Sequence, residues 1–283
     1  MGMSIEKPER NFGATVRGIS SVNISDEDFR SVLDLLHERG FVSIKGQTLN
    51  QAEQVAFARR FGELQKIFIK EALSTDYPEL FYVSNVTENG KPLGSMDAGI
   101  FWHTDGAYIK TPHAYSLLYA IEVPQTHGVA LGDTVFADMG AAYDALPQAT
   151  KQRIDNLRAV HSLYHRYGVK TENAEEFAKR TLEYPPVSHP VAVRHPATGR
   201  RHLYLSEGYT TGIEGLAPDE SSALLNQLRE HSLSPQFLFN YSWSPGDLLI
   251  WDNRSTLHKA TFDYSPQQRR VMRRATVSGV ALG

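Results

Sequence analysis

Three residues of this chain could together hold a metal ion: His103 and Asp105, within Trp102-His103-Thr104-Asp105-Gly106, and His258 far downstream. Two imidazoles and one carboxylate on a single face of a metal leave coordination positions open, the donor set of non-haem Fe(II) oxygenases. With water in a fourth position the same three residues would suit a mononuclear zinc hydrolase, although no general base stands beside them in sequence. His-x-Asp arises readily by chance in a chain with 11 His, so its surroundings carry the argument. If residues 101 to 105 are extended, side chains two apart share a face, and His103 and Asp105 converge while Trp102 and Thr104 turn away. His258 follows Ser244-Pro245-Gly246-Asp247-Leu248-Leu249-Ile250-Trp251, which reads as a turn and then a buried strand, so a strand from the far end of the chain can deliver the third donor.

Behind His258 comes Arg269-Arg270-Val271-Met272-Arg273-Arg274. In an extended segment Arg270, Met272 and Arg274 share one face, which sends two guanidinium groups into the same space. A planar, permanently charged guanidinium suits bidentate capture of a carboxylate. Such a run could also be a nucleic-acid patch or a solvated edge. A net charge of −3 without other Lys/Arg clusters argues against nucleic acid as a partner.

The segment Trp251-Asp252-Asn253-Arg254-Ser255-Thr256-Leu257-His258, followed by Arg269-Arg270-Val271-Met272-Arg273-Arg274-Ala275-Thr276, resembles the C-terminal signature of the taurine dioxygenase and 2,4-dichlorophenoxyacetate dioxygenase family (TauD/TfdA), which are Fe(II)/2-oxoglutarate-dependent oxygenases. Trp102-His103-Thr104-Asp105, Gly132-Asp133-Thr134 and Phe136-Ala137-Asp138-Met139 with Ala142-Tyr143 extend the resemblance, which runs from about residue 10 to the end of the chain. It implies a double-stranded β-helix, with Fe(II), 2-oxoglutarate and O2 as cofactor and cosubstrates and with succinate and CO2 released. It implies further that His103, Asp105 and His258 ligate iron, that Arg270 and Thr134 bind the distal carboxylate of 2-oxoglutarate, and that Arg274 reaches the substrate. The gap from His258 to Arg270 is one residue longer than in the taurine type, which leaves Arg269 as an alternative anchor. An intact Asp105 favours hydroxylation of an unactivated C–H bond, with desaturation, epoxidation or ring formation open because they begin alike. The substrate expected is a small anionic metabolite other than taurine. The stretch Gln65-Lys66-Ile67-Phe68-Ile69-Lys70 lacks the taurine type's sulfonate histidine, and Gly99 stands where that type has an amide.

The elements that must position these residues read as one mainly β domain with flanking helices, an α+β chain built on a cupin-like jelly roll and spanning residues 1–283. Ser25-Asp26-Glu27-Asp28 and Asn50-Gln51-Ala52-Glu53 are helix starts. Phe41-Val42-Ser43-Ile44 and residues 80–83, 114–123, 134–137, 190–194, 202–205, 236–243, 247–251 and 270–278 are strand candidates. Two segments read as active-site covers: 85–99, rich in Gly and polar residues, and 164–186, which holds a polar helix over 172–182. His113, His127, His161, His165, His189, His195, His202 and His231 lack a partner at ligand spacing and read as surface or hydrogen-bonded core residues.

Composition agrees with this picture. Hydrophobic residues at 41% and charged residues at 22% are ordinary for a soluble globule. With no Cys there is neither a disulfide framework nor a thiolate metal site, which suits a reducing compartment and hard oxygen and imidazole ligands. The first residues lack an apolar signal region and no apolar run could cross a bilayer, so a cytoplasmic protein without a membrane partner is expected. Homo-oligomerisation stays open, as does a jelly-roll binding protein without turnover.

Overall fold

A computed structural model describes residues 2–66, 74, 76–167 and 174–283. Its main sheet has seven strands in the order Ser4–Glu6, Ala14–Arg17, Phe41–Ile44, Leu248–Asp252, Tyr115–Glu122, Val271–Val277 and Leu80–Ser84. Facing it is a three-stranded sheet, Leu238–Tyr241, Thr134–Asp138 and Thr256–Ala260. Together they form the expected jelly roll.

The period of two explains how one sheet buries both faces. Val42, Ile44, Leu117, Tyr119, Leu248, Ile250, Ala275 and Val277 point outward, into a core shared with Phe29, Val32, Leu36, Val55 and Phe57 of two covering helices. Phe41, Leu118, Leu249, Trp251 and Met272 point inward, against Phe136, Tyr241 and Trp243 of the smaller sheet. Phe41 and Phe136 stack across this gap with ring centroids 4.7 Å apart.

The two helices begin where their capping residues stand. Ser25 accepts from the Asp28 N–H at the start of Asp26–Arg39, and Asn50 and Glu53 form a reciprocal capping box on Gln51–Arg59. Gly40, at φ 77°, closes the first helix and turns the chain directly into Phe41–Ile44. A further layer places helices Met139–Asp144, Gln148–Ile154 and Pro218–Ser232 around the sheet Val187–Pro190, Arg158–His161, Thr210–Ile213. Pro218–Ser232 and the strands Ala14–Arg17, Arg158–His161, Thr210–Ile213 and Thr256–Ala260 are additions to the elements read from sequence.

Residues 101–105 are not a strand, which corrects the expectation above. His103 makes a single bridge to His258, and the chain then turns at Gly106, whose φ is 75°. The turn is held by Thr104 Oγ1, which donates to the Asn253 carbonyl at 2.5 Å. Segment 85–99 contains a hairpin, Thr87–Glu88 with Lys91–Pro92, turned by Asn89 and Gly90 at positive φ. Of the second cover, Tyr164–Tyr167 is one helical turn and Ala174–Glu183 a helix. Residues 168–173 lie outside the described residues, as do 67–70 of the stretch compared with the taurine type. Among the described residues no helix is long and apolar enough to cross a membrane.

Burial holds His161 and His202 neutral, with pKa values lowered to about 3. A folded-state pKa below the unfolded value near 6.5 gives stability that is complete above pH 6.5 and is lost as pH falls towards 3. Each histidine is expected to cost about 2 kcal/mol at pH 5 relative to neutral pH. Urea unfolding at pH 7.5 and pH 5 should show this loss, and His161→Asn should reduce it; an equal loss in the variant would count against His161.

Candidate active site

The structure brings His103, Asp105 and His258 together, with one donor atom from each lying within 4.8 Å of the others and all three residues buried. His103 and His258 exchange both backbone hydrogen bonds, at 3.0 and 2.8 Å. His258 stands on the strand Thr256–Ala260, opposite Phe136, so the bridge adds His103 to the free side of the small sheet. The strand Leu248–Asp252 therefore does not itself deliver His258; the chain leaves it through the turn Asp252–Ser255 and crosses to the facing sheet.

Hydrogen bonding orients one imidazole and burial keeps the other neutral. His103 Nδ1 lies 2.8 Å from the Phe101 carbonyl, which can only accept, so Nδ1 carries the proton and the Nε2 lone pair is left for the site. His103 Nε2 is 3.6 Å from Asp105 Oδ1, and His258 Nε2 is 3.9 Å from Oδ2. Burial, and then the neighbouring His103, hold the His258 pKa well below the usual imidazole range. At Asp105 burial pushes the pKa up, but Arg274 and the two histidines more than offset it and keep the group a carboxylate. Arg274 Nη1 donates to Oδ1 at 3.0 Å and Ser116 Oγ to Oδ2 at 2.6 Å.

The arginines divide as strand parity requires. Arg269 is exposed and clasps Glu122 at 2.7 and 2.9 Å. Arg273 turns to the outer face, where it donates to Gln54 Oε1 and the Leu49 carbonyl. Arg270 and Arg274 share a cavity with His103, His258, Thr134, Trp251, Ala98 and Gly99. Arg270 is buried, yet its Nε and Nη2 end on the neutral Gly132 carbonyl, and desolvation lowers its pKa. Gly132 is required here: at φ 74°, a Cβ would stand 2.8 Å from Arg270 Nε. A larger open cleft elsewhere carries Arg158, Arg194, Arg201 and Arg254, each already paired to an acceptor.

His103, His258 and Arg270 thus line one cavity, Asp105 stands within reach of both imidazoles, and the jelly roll surrounds them. The model of the family "Taurine catabolism dioxygenase TauD, TfdA family" matches residues 4–276. The chain belongs to this family. It is thus a 2-oxoglutarate-dependent dioxygenase, an oxidoreductase that uses Fe(II), 2-oxoglutarate and O2. It is 37% identical over 268 residues to the alpha-ketoglutarate-dependent 2,4-dichlorophenoxyacetate dioxygenase of Burkholderia sp., covering 90% of this chain and 87% of that protein. To the pentalenolactone F synthase of Streptomyces arenae it is 34% identical, over 94% of this chain and 92% of the relative. Among solved structures it matches AAD-2 in complex with Mn(II) and N-oxalylglycine, with TM-score 0.85, 31% identity and full coverage of both chains. Membership of the TauD/TfdA family sets aside the zinc hydrolase and the binding protein without turnover.

A second cluster, His37, His195 and Asp252, also meets the spacing of metal donors. Its carboxylate is already saturated. Asp252 Oδ1 accepts from the Arg254 N–H and Nε, while Oδ2 accepts from Arg254 Nη2 and faces His195 Nε2 at 2.9 Å. This network is the pivot of the turn that leads to His258. His195 is thus the hydrogen-bonded core residue expected from sequence, whereas the support it gives to Asp252 depends on a contact that sequence spacing does not display. Asp252→Ala would leave the buried Arg254 without its anion. The expected loss is about 3 to 5 kcal/mol of unfolding free energy, measured by denaturant titration; a loss below 1 kcal/mol would show the turn to be held otherwise.

Proposed function

We propose that this TauD/TfdA dioxygenase hydroxylates an unactivated C–H bond of a small anionic molecule, with release of succinate and CO2. The observation that carries the reading is Arg270, a buried guanidinium whose side-chain hydrogen bonds end on a neutral carbonyl, in one cavity with His103 and His258, beside which Asp105 completes the three buried donors. A buried cation without an anion is costly, and a carboxylate brought by a ligand relieves that cost.

His103 Nε2, the Asp105 carboxylate and His258 Nε2 would hold Fe(II), a set of hard and intermediate donors that suits it. When bound, iron and 2-oxoglutarate supply the activation of O2 and the removal of hydrogen from the substrate. The chain supplies orientation. Arg270 would take the distal carboxylate of 2-oxoglutarate. Thr134 Oγ1 already accepts from Trp243 Nε1 at 3.1 Å, so its own proton is left to donate to the same carboxylate. Arg274 holds Asp105 with Nη1, lies over the Phe81 ring and has a buried Nε without a partner; its remaining donors would meet the substrate's anionic group. The relative named for 2,4-dichlorophenoxyacetate acts on such an anion. Gly99, beside Ala260 and His103, offers no amide, which supports a substrate other than taurine. Segments 85–99 and 164–186 would cover the cavity, the first through Ala98 and Gly99 on its wall. Desaturation, epoxidation or ring formation would use the same residues.

Two measurements test this. Titration with Mn(II) should show stoichiometric binding to the wild type and none to His103→Ala, Asp105→Ala or His258→Ala; unchanged affinity in any one removes that residue from the set. Arg270→Ala should raise the KM for 2-oxoglutarate about 10- to 100-fold, as expected for a lost charge-assisted contact of about 1.5–3 kcal/mol. Arg269→Ala should leave it within about threefold, since only a solvated pair is lost. The opposite ranking would make Arg269 the anchor.

A further inference from the structure

We infer that Trp251 and Asn253 act through Ser116 as positioning residues, setting the direction of a one-way hydrogen-bond chain that ends on Asp105 and holds it as an acceptor turned towards His103 and His258. The inference rests on the reading that Asp105 is a metal ligand.

The chain begins at a group with no choice. An indole Nε1–H can only donate, and Trp251 Nε1 lies 3.0 Å from the side-chain oxygen of Asn253. The Asp105 backbone N–H, also a pure donor, reaches the same atom at 3.2 Å. Two donors on one side of an amide leave a single orientation for it, with Oδ1 towards Trp251 and Nδ2 towards Ser116. Nδ2 then donates to Ser116 Oγ at 3.1 Å. A serine hydroxyl has one proton, and an ionised carboxylate has none to give. With Asn253 donating into it, Ser116 sends its proton to Asp105 Oδ2, at 2.6 Å. Arg274 Nη1 occupies the other oxygen at 3.0 Å, so the carboxylate is fixed from both sides.

Water cannot easily substitute for any link. Trp251, Asn253 and Ser116 are each no more than 2% exposed. Ser116 stands directly opposite Trp251 in the ladder between Leu248–Asp252 and Tyr115–Glu122, and opposite Thr276 on its other side. The hydroxyl therefore sits on a central strand hydrogen-bonded on both edges, and it cannot shift unless the sheet does. Neither strand carries His103, Asp105 or His258; the chain is how the large sheet would govern a ligand that belongs to a turn outside it.

The test is Mn(II) affinity by calorimetry, without 2-oxoglutarate, alongside circular dichroism and thermal unfolding of each variant. Ser116→Ala should weaken Mn(II) binding about 10- to 100-fold, the range for lost supporting hydrogen bonds to a metal ligand, and Ser116→Thr, which returns the hydroxyl, should recover most of it. Trp251→Phe keeps an aromatic ring against His258 but removes the N–H, and should also weaken binding. In the Ser116→Ala background Trp251→Phe should add nothing further, because the link through which it acts is already gone. Losses that add independently would show Trp251 to act by packing on His258 and would overturn the chain. Wild-type affinity in Ser116→Ala, with binding abolished in His103→Ala, would overturn it too. Binding retained in His103→Ala would instead overturn the ligand assignment on which the inference stands.

Discussion

Two backbone hydrogen bonds between His103 and His258, at 3.0 and 2.8 Å, are the constraint on which the site depends. They join a turn in the first half of the chain to a strand near its end. The strand Thr256–Ala260 pairs on one side with Thr134–Asp138; its other side would be an open edge. The segment around Gly99 to His103 covers that edge, since Ala260 N–H donates to the Gly99 carbonyl and His103 completes the bridge. The same contact that closes the sheet sets the two imidazoles side by side, with ring centroids 4.1 Å apart, and Asp105 follows two residues later within reach of both.

Around that bridge the charges are unbalanced by design of the fold. Two guanidinium groups, Arg270 and Arg274, line the cavity, and Asp105 pairs with only the second. Their neighbours Arg269 and Arg273 have found partners, one on the solvent side and one on the outer face of the sheet. A strand that placed all four on one face could not be buried. Alternation separates them and leaves only Arg270 and Arg274 inside.

Much of this was open to reading in the sequence, for a physical reason: capping residues and strand parity are local. Ser25 and Asn50 cap the helices they announce, and the inward direction of Arg270 and Arg274 follows from the period of two. The convergence of His103 and Asp105 was expected from the same period and came about differently, through the turn at Gly106 and the anchoring of Thr104 on Asn253. A single residue in a bridge has no periodicity to detect. Pro218 followed by Asp219 and Glu220 marks a helix start that could have been read. The strand that carries His258 could not, because Thr256-Leu257-His258-Lys259-Ala260 alternates weakly and gains its identity from pairing with Thr134–Asp138. Ser116 and Asn253 gave no signal either: each matters only through a partner from another strand.

Two tryptophans make one further point about how a β fold prepares a site. Trp243 donates to Thr134 and Trp251 donates to Asn253. Both side chains lie in the aromatic core between the sheets, where bulk alone would explain them. Yet each ends in an N–H that must find an acceptor when buried: Thr134, which lines the cavity, and Asn253, which is bonded to the Asp105 N–H and to Ser116. Because an indole cannot accept, it removes one of the two roles a hydroxyl or amide could play. Thr134 is left with a proton to give, and Asn253 is left with its amide nitrogen towards Ser116. Phe in either position would fill much the same space but remove that donor. The packing layer that stabilises the jelly roll is therefore also the layer that decides which atoms around the cavity donate and which accept.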